Sequence, residues 1–537
     1  MLYQIGFFAL IAGTVRAVGE EDRIIGLPNV TFDPTFNQYS GYLKASPDGK
    51  DLFFYWLTEA AVNSETAPLL IWLNGGPGCS SVGGLLAEYG PFYVTKDGNN
   101  LVENIFAWNR EFNILFLESP IGVGFSYEVG DPLKYSIGDD ETADLNFHAL
   151  VDFFSRVQPR YRHRRWFLTG ESYAGIYIPT LTELVLEAIS EDRFPNPKFQ
   201  GLAIGNGYLN SQNLTNSLIH WHVYHGAIGV REWSNIKHTC CPGLEHIEEC
   251  NFHAHIRENS TQIWALDQCG KEFIDVLNMP ENQNEYNYYL DCYKAGQIRS
   301  SRRSLKQNSL LFTNFINYDT TDNQMGFPCW NEDAMKVYMN KRKVQMALHV
   351  SDEWMRNRET EWETCNDDIT DDYRPTYRDT FDLFKGIIDK LIKFRKKLPK
   401  NFRMLFFNGD VDTVCNFIGV SWHMDNVAHK NGFKAEKRSA WGFRNQVAGY
   451  IQKYKKELSK HNHISIDVLT VKGAGHFVSD RPGPALQMIT NFVKGTGNYT
   501  RSDVVHKVLI DQTTNTGKQI FIDYCFVCII FVLTVYF

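Results

Sequence analysis

A strand-like run, Trp166-Phe167-Leu168-Thr169, leads straight into Gly170-Glu171-Ser172-Tyr173-Ala174-Gly175, and a helix-compatible stretch follows. Few features constrain a chain more. A serine in a G-x-S-x-G element between strand and helix sits on a strained turn that pushes its hydroxyl out over a sheet. The residue before the serine is the anomaly. Glu171 places a carboxylate beside a group that should become a nucleophile, where negative charge opposes a developing oxyanion.

The rest of the chain supplies the sheet. Asp51-Trp56, Pro68-Leu73, Asn113-Leu117, Trp166-Thr169, Phe199-Ile204, Arg403-Phe407 and Ile464-Val471 are apolar runs rich in β-branched or aromatic residues, which read as buried strands. Helical patterns such as Thr142-Ser155 and Pro179-Ser190 lie between them. Strands alternating with helices predict a mixed, mainly parallel sheet covered on both faces. Reactive residues then belong in loops at the carboxyl ends of strands, where Ser172 stands. From about Leu209 to Asn331 the pattern degrades into polar, cysteine-rich sequence, read as an insertion capping the sheet. Inside it the basic run Ile298 to Ser309 reads as an exposed loop, with trypsin-like processing as the sharper alternative.

Both ends carry their own signals. Leu2 to Ala12 is apolar, and Val15 and Ala17 fit the small-residue positions before a cleavage site, so 1–17 reads as a secretory leader. Four N-x-[ST] sequons, at Asn29, Asn213, Asn259 and Asn498, and 11 cysteines suit an oxidising compartment. A formal charge of −8 gives no reason to expect nucleic acid as a partner. Cys240-Cys241, Cys250 and Cys269 lack paired C-x-x-C spacing, which favours disulfides over zinc. Tyr524 to Phe537 is apolar to the last residue, and three readings stay open: a lipid-anchor signal, a short membrane anchor, or an artefact of sequence assembly. The expected division is 1–17 leader, 18–208 first part of the core, 209–331 cap insertion, 332–500 second part of the core, and 501–537 spacer and tail.

A serine hydroxyl needs a general base, and the base needs a third group to orient it. With this kind of turn the chain order is Ser, then Asp or Glu, then His. Asp410 and Asp412 lie just past Arg403-Phe407, and His476 lies in a Gly-rich loop just past Ile464-Val471. Ser172, Asp412 and His476 follow that order. The oxyanion site should pair the Tyr173 amide with one from an earlier Gly-rich loop, and Ile71-Trp72-Leu73-Asn74-Gly75-Gly76-Pro77-Gly78-Cys79-Ser80-Ser81 is in place for it.

Taken together, "WLNGGPGCSS", "ESPIGVGFSY", "GESYAGIYIP", "NGDVDTVCNF" and "GAGHF", in this order, resemble the serine carboxypeptidase family of the cathepsin A and carboxypeptidase Y type. The similarity runs from about Val30 to Lys494. It implies an α/β-hydrolase fold with a cap insertion and release of single residues from peptide C-termini at acidic pH, with no cofactor and no metal. By resemblance Ser172, Asp412 and His476 form the triad, with Asp412 rather than Asp410 as its acid. The Gly76 and Tyr173 amides form the oxyanion hole. Asn74, the Gly75 amide, Glu171 and Glu88 bind the substrate carboxylate.

That last assignment answers the anomaly of Glu171. Two neighbouring carboxyl groups cannot both ionise cheaply, so a proton is retained, and a protonated Glu171 donates to the substrate carboxylate. The plain alternative for Glu88 is an exposed helix carboxylate. The resemblance also implies disulfides Cys79-Cys365, Cys240-Cys269, Cys241-Cys250 and Cys292-Cys329, with Cys415 left unpaired. The chain departs from the family after His476, where Phe477-Val478-Ser479-Asp480 lacks a proline and is one residue shorter, and in its apolar tail. Two other functions stay open: acyl transfer on the same triad, and a non-catalytic protective or binding role beside other secreted enzymes. Expected partners are peptide or protein C-termini. A homodimer and membrane or lipid anchoring through 524–537 are further open expectations, with a secreted or lysosomal address.

Overall fold

The computed structural model describes residues 18–130, 137–258, 263–277, 284–290, 331–356, 361–503 and 505. The leader 1–17, Asn259, Cys292, Cys329, the basic run 298–309 and the tail 524–537 lie outside the described residues.

All seven apolar runs are strands of one 12-stranded sheet. Its main strands are β1 (Gln38–Lys44), β2 (Asp51–Thr58), β3 (Leu69–Leu73), β4 (Asn113–Leu117), β5 (Trp166–Glu171), β6 (Phe199–Gly205), β7 (Phe402–Gly409), β8 (Gln446–Ser459) and β9 (Asn462–Val471). The order across the sheet is β1-β2-β4-β3-β5-β6-β7-β9-β8. From β4 to β9 every neighbour runs parallel, while β1 and β2 at one end and β8 at the other pair antiparallel. Parallel pairing aligns the carboxyl ends of β3, β5, β6, β7 and β9 on one edge, so the loops that leave them meet there.

Alternation along each strand feeds two cores. In β3, Leu69, Ile71 and Leu73 join one core with helices α2 (Asp139–Asp152), α3 (Ala174–Ser190), α5 (Phe381–Lys393) and α6 (Phe417–Lys430). Leu70 and Trp72 point the other way, into a core with α1 (Ser81–Ala87) and α7 (Pro482–Lys494). A strand buried on both faces must read as continuously apolar. Each fully buried Leu, Ile or Phe contributes roughly 1.5–3 kcal/mol, so the sheet centre is the rigid part of the molecule.

Two helices start differently from their sequence patterns. α2 begins at Asp139, and its end passes into a π-helical turn, Phe153–Val157. α3 begins at Ala174, directly after Ser172, and carries Pro179 within it. The proline has no N–H to give the Gly175 carbonyl, so the helix forgoes one interior bond there. The Thr180 hydroxyl donates to the carbonyls of Ile176 and Tyr177 nearby.

Beyond β6, helix α4 (Ser211–Tyr224) packs on the core, where the Ser217 hydroxyl donates to Asn416 Oδ1 at 2.9 Å, at the start of α6. Helices Val230–Cys240 and Gln268–Leu277 close a small separate core with Ile219, Phe252 and Phe273. Bridges Cys240–Cys269 and Cys241–Cys250 hold it, and Cys79–Cys365 ties the loop after β3 to a distant segment. Among the described residues no helix is long and apolar enough to cross a membrane.

Candidate active site

Ser172 stands at the end of β5 with φ of 59°, in the left-handed region that non-glycine residues avoid. Strain of this kind costs about 1–3 kcal/mol and persists only when the surroundings enforce it. Here they do. The Ser172 amide donates to the Gly205 carbonyl at 3.0 Å, and the Ser172 carbonyl accepts from Tyr208 and Gly175, both at 2.9 Å. The two glycines of the element let strand and helix meet. A Cβ on Gly170 would fall 2.2 Å from the Leu73 carbonyl oxygen, and one on Gly175 would fall 2.6 Å from that of Tyr208.

The loop after β3 presses against this turn. A Cβ on Gly75 would lie 2.4 Å from the Tyr173 amide nitrogen and 2.8 Å from Ser172 Cβ, so only glycine permits the approach. Gly76 has φ of 114°, and a Cβ there would meet the Gly78 amide at 2.6 Å. Within the described residues neither the Gly76 nor the Tyr173 amide donates a hydrogen bond. Beneath the loop Glu118 is buried. It accepts from Ser80 Oγ, from the Phe125 amide at 2.6 Å and from Trp362 Nε1 at 2.8 Å. Burial pushes its carboxyl up to about 7.

Asp412 and His476 come together. His476 Nδ1 and Asp412 Oδ2 lie 2.9 Å apart, and both side chains are buried. Asp412 also accepts from the amides of Val414 and Cys415 and from Asn206 Nδ2 at 2.8 Å. Three donors besides the imidazole satisfy its oxygens in the interior. Asp410 does separate work, accepting from the Gly473 amide at 2.6 Å and so tying the loop after β7 to the loop after β9. In the shortened segment after His476, Val478–Asp480 forms a 3₁₀ turn. The Asp480 carboxylate accepts from the Gly475 amide at 2.9 Å, which closes that loop on itself, and from Asn287 Nδ2 at 2.7 Å, which ties it to residues 284–290.

Glu171 is 1% exposed and Glu88 is 8% exposed, so the exposed-helix alternative for Glu88 fails: it caps the end of α1, inside the protein. Asn74 Nδ2 donates to Oε1 of both, at 3.1 Å each, and Asn74 Oδ1 accepts from Trp72 Nε1 at 2.6 Å. The Tyr89 hydroxyl donates to Glu171 Oε2 at 3.3 Å. Burial raises both carboxyl groups, and the charge of Glu88 raises Glu171 further. Glu88 Oε2 has no N–H or O–H donor among the described residues. A pair in that position keeps a proton.

Cys415 is free and buried, and burial pushes its thiol up. Asn29 and Asn498 are exposed, while Asn213 lies half-buried in the first turns of α4. His255, Asp267 and Cys269 could bring ligand atoms within 4.8 Å of one another, but the Cys269 sulfur is bonded to Cys240.

Sequence reasoning missed several residues of the site. Asn206 has φ of 37° and holds both Asp412 and the Gly409 amide. Its only signal is an Asn-Gly pair directly after a strand. Tyr89 and the strap 284–290 were also missed. In that strap the Tyr286 carbonyl accepts the His476 amide at 2.6 Å, and the Tyr286 and His476 ring centres lie 5.2 Å apart.

Comparison with known proteins fits this geometry. A family model described as serine carboxypeptidase matches residues 28–495. The chain is 40% identical over 540 residues to a Caenorhabditis elegans protein named serine carboxypeptidase ctsa-3.1, covering 92% of each chain. It is 36% identical over 502 residues to the lysosomal protective protein of Mus musculus, covering 89% of this chain and 94% of that one. Among solved structures, the Saccharomyces cerevisiae Kex1 prohormone-processing carboxypeptidase shares the fold with a TM-score of 0.64 at 21% identity, covering 89% of this chain and 96% of that one.

Proposed function

This chain belongs to the serine carboxypeptidase family, and from that premise we propose how its own residues carry the reaction. It is a serine-type hydrolase that cleaves the C-terminal bond of peptide substrates. Ser172 Oγ attacks the carbonyl carbon of the last peptide bond while His476 takes the hydroxyl proton. The new C–O bond leaves a tetrahedral oxyanion, which receives the amides of Gly76 and Tyr173. Asp412, held by Asn206 and the loop amides, keeps the imidazole in its productive tautomer. The imidazolium then protonates the leaving nitrogen, the C–N bond breaks, and the terminal amino acid departs. Water repeats the sequence on the Ser172 ester and frees the enzyme.

The observation that carries the exopeptidase reading is the buried Glu171-Asn74-Glu88 cluster beside the nucleophile. Asn74, the Gly75 amide and a proton on the carboxyl pair present donors to a terminal carboxylate. Above the titration of the pair the same place turns anionic and repels it, so the reaction belongs to acidic pH. The disulfides and the name of the mouse relative support a secretory, lysosomal address.

The test uses an N-blocked dipeptide and its C-terminally amidated twin, with Ser172→Ala as the blank. Fast release from the free acid, slow release from the amide and decline toward neutral pH are expected. Equal rates on both would end the clamp reading. Product esters or amides formed in preference to hydrolysis would move the assignment to acyl transfer.

A further inference from the structure

Residues 364–370 run along the loop after β3 and grip four consecutive residues of it. The Thr370 hydroxyl donates to the Pro77 carbonyl at 2.7 Å, the Asn366 amide to the Gly78 carbonyl at 2.9 Å, and the Ser80 amide to the Thr364 carbonyl at 2.7 Å. Cys79, the fourth, is bonded to Cys365. The local sequence arranges this grip. The Asn366 side chain accepts from the amides of Asp368 and Ile369 and so starts a short helix, Asp367–Asp372, seated by the buried Ile369. Thr370 lies one turn past Asn366, so both reach the same neighbour. A Cβ on Gly78 would lie 3.0 Å from the Asn366 carbonyl oxygen and 3.1 Å from Thr370 Oγ1, so the helical turn lies directly on the loop.

The same segment continues to the other half of the oxyanion site. The Tyr373 ring stands edge-on to the Tyr173 ring, with centres 5.6 Å apart. The Tyr173 hydroxyl donates to Oδ1 of the buried Asp139 at 2.9 Å. Asp139 Oδ2 in turn accepts the amides of Thr376 at 2.6 Å and Tyr377 at 3.1 Å. The Arg374 amide adds a bond to the Ile137 carbonyl at 3.0 Å. One stretch of chain therefore holds both residues whose amides face the oxyanion.

A peptide unit is planar, with its N–H and C=O pointing opposite ways. The unit that carries the Gly76 amide has the Gly75 carbonyl at its other end, and that carbonyl accepts from the Cys79 amide at 3.1 Å. Whatever holds Cys79 therefore aims the Gly76 N–H. We propose that residues 364–377 are a positioning brace for the oxyanion site: Thr370 acts through residues 77–79 on the Gly76 amide, and Asp139, held by the same segment, acts through the Tyr173 side chain. This rests on the oxyanion reading given above. Gly75 and Gly76 leave the loop free to sample many conformations on its own. An oxyanion donor works only when fixed about 2.7–3.1 Å from charge that forms in the transition state. The clamp side chains Asn74, Glu88 and Glu171 are held by one another, Trp72 and Tyr89, so loosening the brace touches the chemical step and spares ground-state binding.

The experiment compares inhibition by a peptide aldehyde with inhibition by the alcohol made by reducing it. Ser172 Oγ adds to the aldehyde carbon, the carbonyl oxygen becomes the oxyanion, and His476 takes the hydroxyl proton, with no leaving group. The alcohol makes the ground-state contacts and forms no adduct. In the parent the aldehyde should bind about 100-fold tighter than the alcohol. Thr370→Val, of the same shape without the hydroxyl, should narrow that gap about tenfold and lower kcat by the same factor, with KM and alcohol binding unchanged. Thr370→Ser, which restores the hydroxyl, should keep the parent's gap. Tyr173→Phe keeps the Tyr173 amide, removes only the hydroxyl held by Asp139, and tests the second arm whether or not Thr370→Val folds; it should narrow the gap about threefold. A full gap in Thr370→Val or in Tyr173→Phe, equal weakening of aldehyde and alcohol, or a Thr370→Ser that falls as far as Thr370→Val would overturn the inference. A parent that binds aldehyde and alcohol alike would overturn the oxyanion reading, and this inference with it.

Discussion

Glu171→Gln tests the carboxylate clamp most directly. In the parent the pair holds a proton because two carboxyl groups, 1% and 8% exposed, share the single Asn74 amide group. Raised titration works against ionisation, so the donor is present in acid and is lost as pH rises past the pair, with Glu88 pushed up to about 7. Each pH unit beyond that point should then cost about tenfold in kcat/KM for a peptide acid, or about 1.4 kcal/mol. A glutamine at position 171 keeps an N–H donor at every pH and removes the partner whose hydrogen bond helps Glu88 ionise. A neutral donor is weaker than the carboxyl it replaces, so kcat/KM in acid should fall about tenfold. At two pH units past the parent's decline the variant should overtake it. The assay is initial-rate kinetics on a blocked dipeptide across pH, with its amide twin as control. The twin forgoes hydrogen bonds to a charged group worth about 1.5–3 kcal/mol, so it should run about 10- to 100-fold slower in acid and show no decline from this source. A Glu171→Gln profile that falls at the same pH as the parent would refute the reasoning.

Asn206→Ala removes one of the donors on a buried carboxylate that also orients the base, and should lower kcat by about 10- to 100-fold with little change in KM. Fluorophosphonate labelling rates would report the same loss without the clamp. Thermal unfolding gives the third expectation. Glu118 has its folded-state titration raised from 4.5 to about 7 by burial, so its contribution to stability is fully present below about pH 4.5 and is lost as pH rises to 7. That is about 3 kcal/mol for this carboxyl at about 1.4 kcal/mol per pH unit. Tm should therefore decline from acid toward neutral pH, and Glu118→Gln should flatten the decline. An unchanged slope would show that other groups set it.

The centre of the sheet was legible because a strand buried on both faces has to be apolar at every position, as Leu69–Leu73 and Asn113–Leu117 are. The outer strands β1 and β8 escaped notice because neither carries an apolar run: Gln38–Lys44 is mostly buried but interleaves Gln38, Ser40 and Gly41 with its tyrosines, and Gln446–Ser459 is half-exposed and carries Lys and Gln. Residues that sit at strand ends in fixed chain order, such as Ser172, Asp412 and His476, could be picked out. Asn206, Tyr89 and the strap 284–290 could not, because what matters about each is a neighbour far away in sequence. Asn206 acts on a carboxylate 206 residues on, and the strap's main chain holds a loop 128 residues on. Only the closed sheet brings them together.

β6 and β7 are hydrogen-bonded neighbours, yet residues 206–401 separate them in the chain. Ser172, Glu171 and the loop after β3 are all made before that interval, and Asp412 and His476 after it. At a synthesis rate of about 5–20 residues per second, the nucleophile waits roughly 15–60 s for its base. During that time the nascent chain carries its serine without anything to activate it. The late arrival of β7 and β9 therefore acts as a clock: hydrolysis begins only when the chain through His476 has been made and has docked, so a shorter nascent chain lacks the base to attack its neighbours.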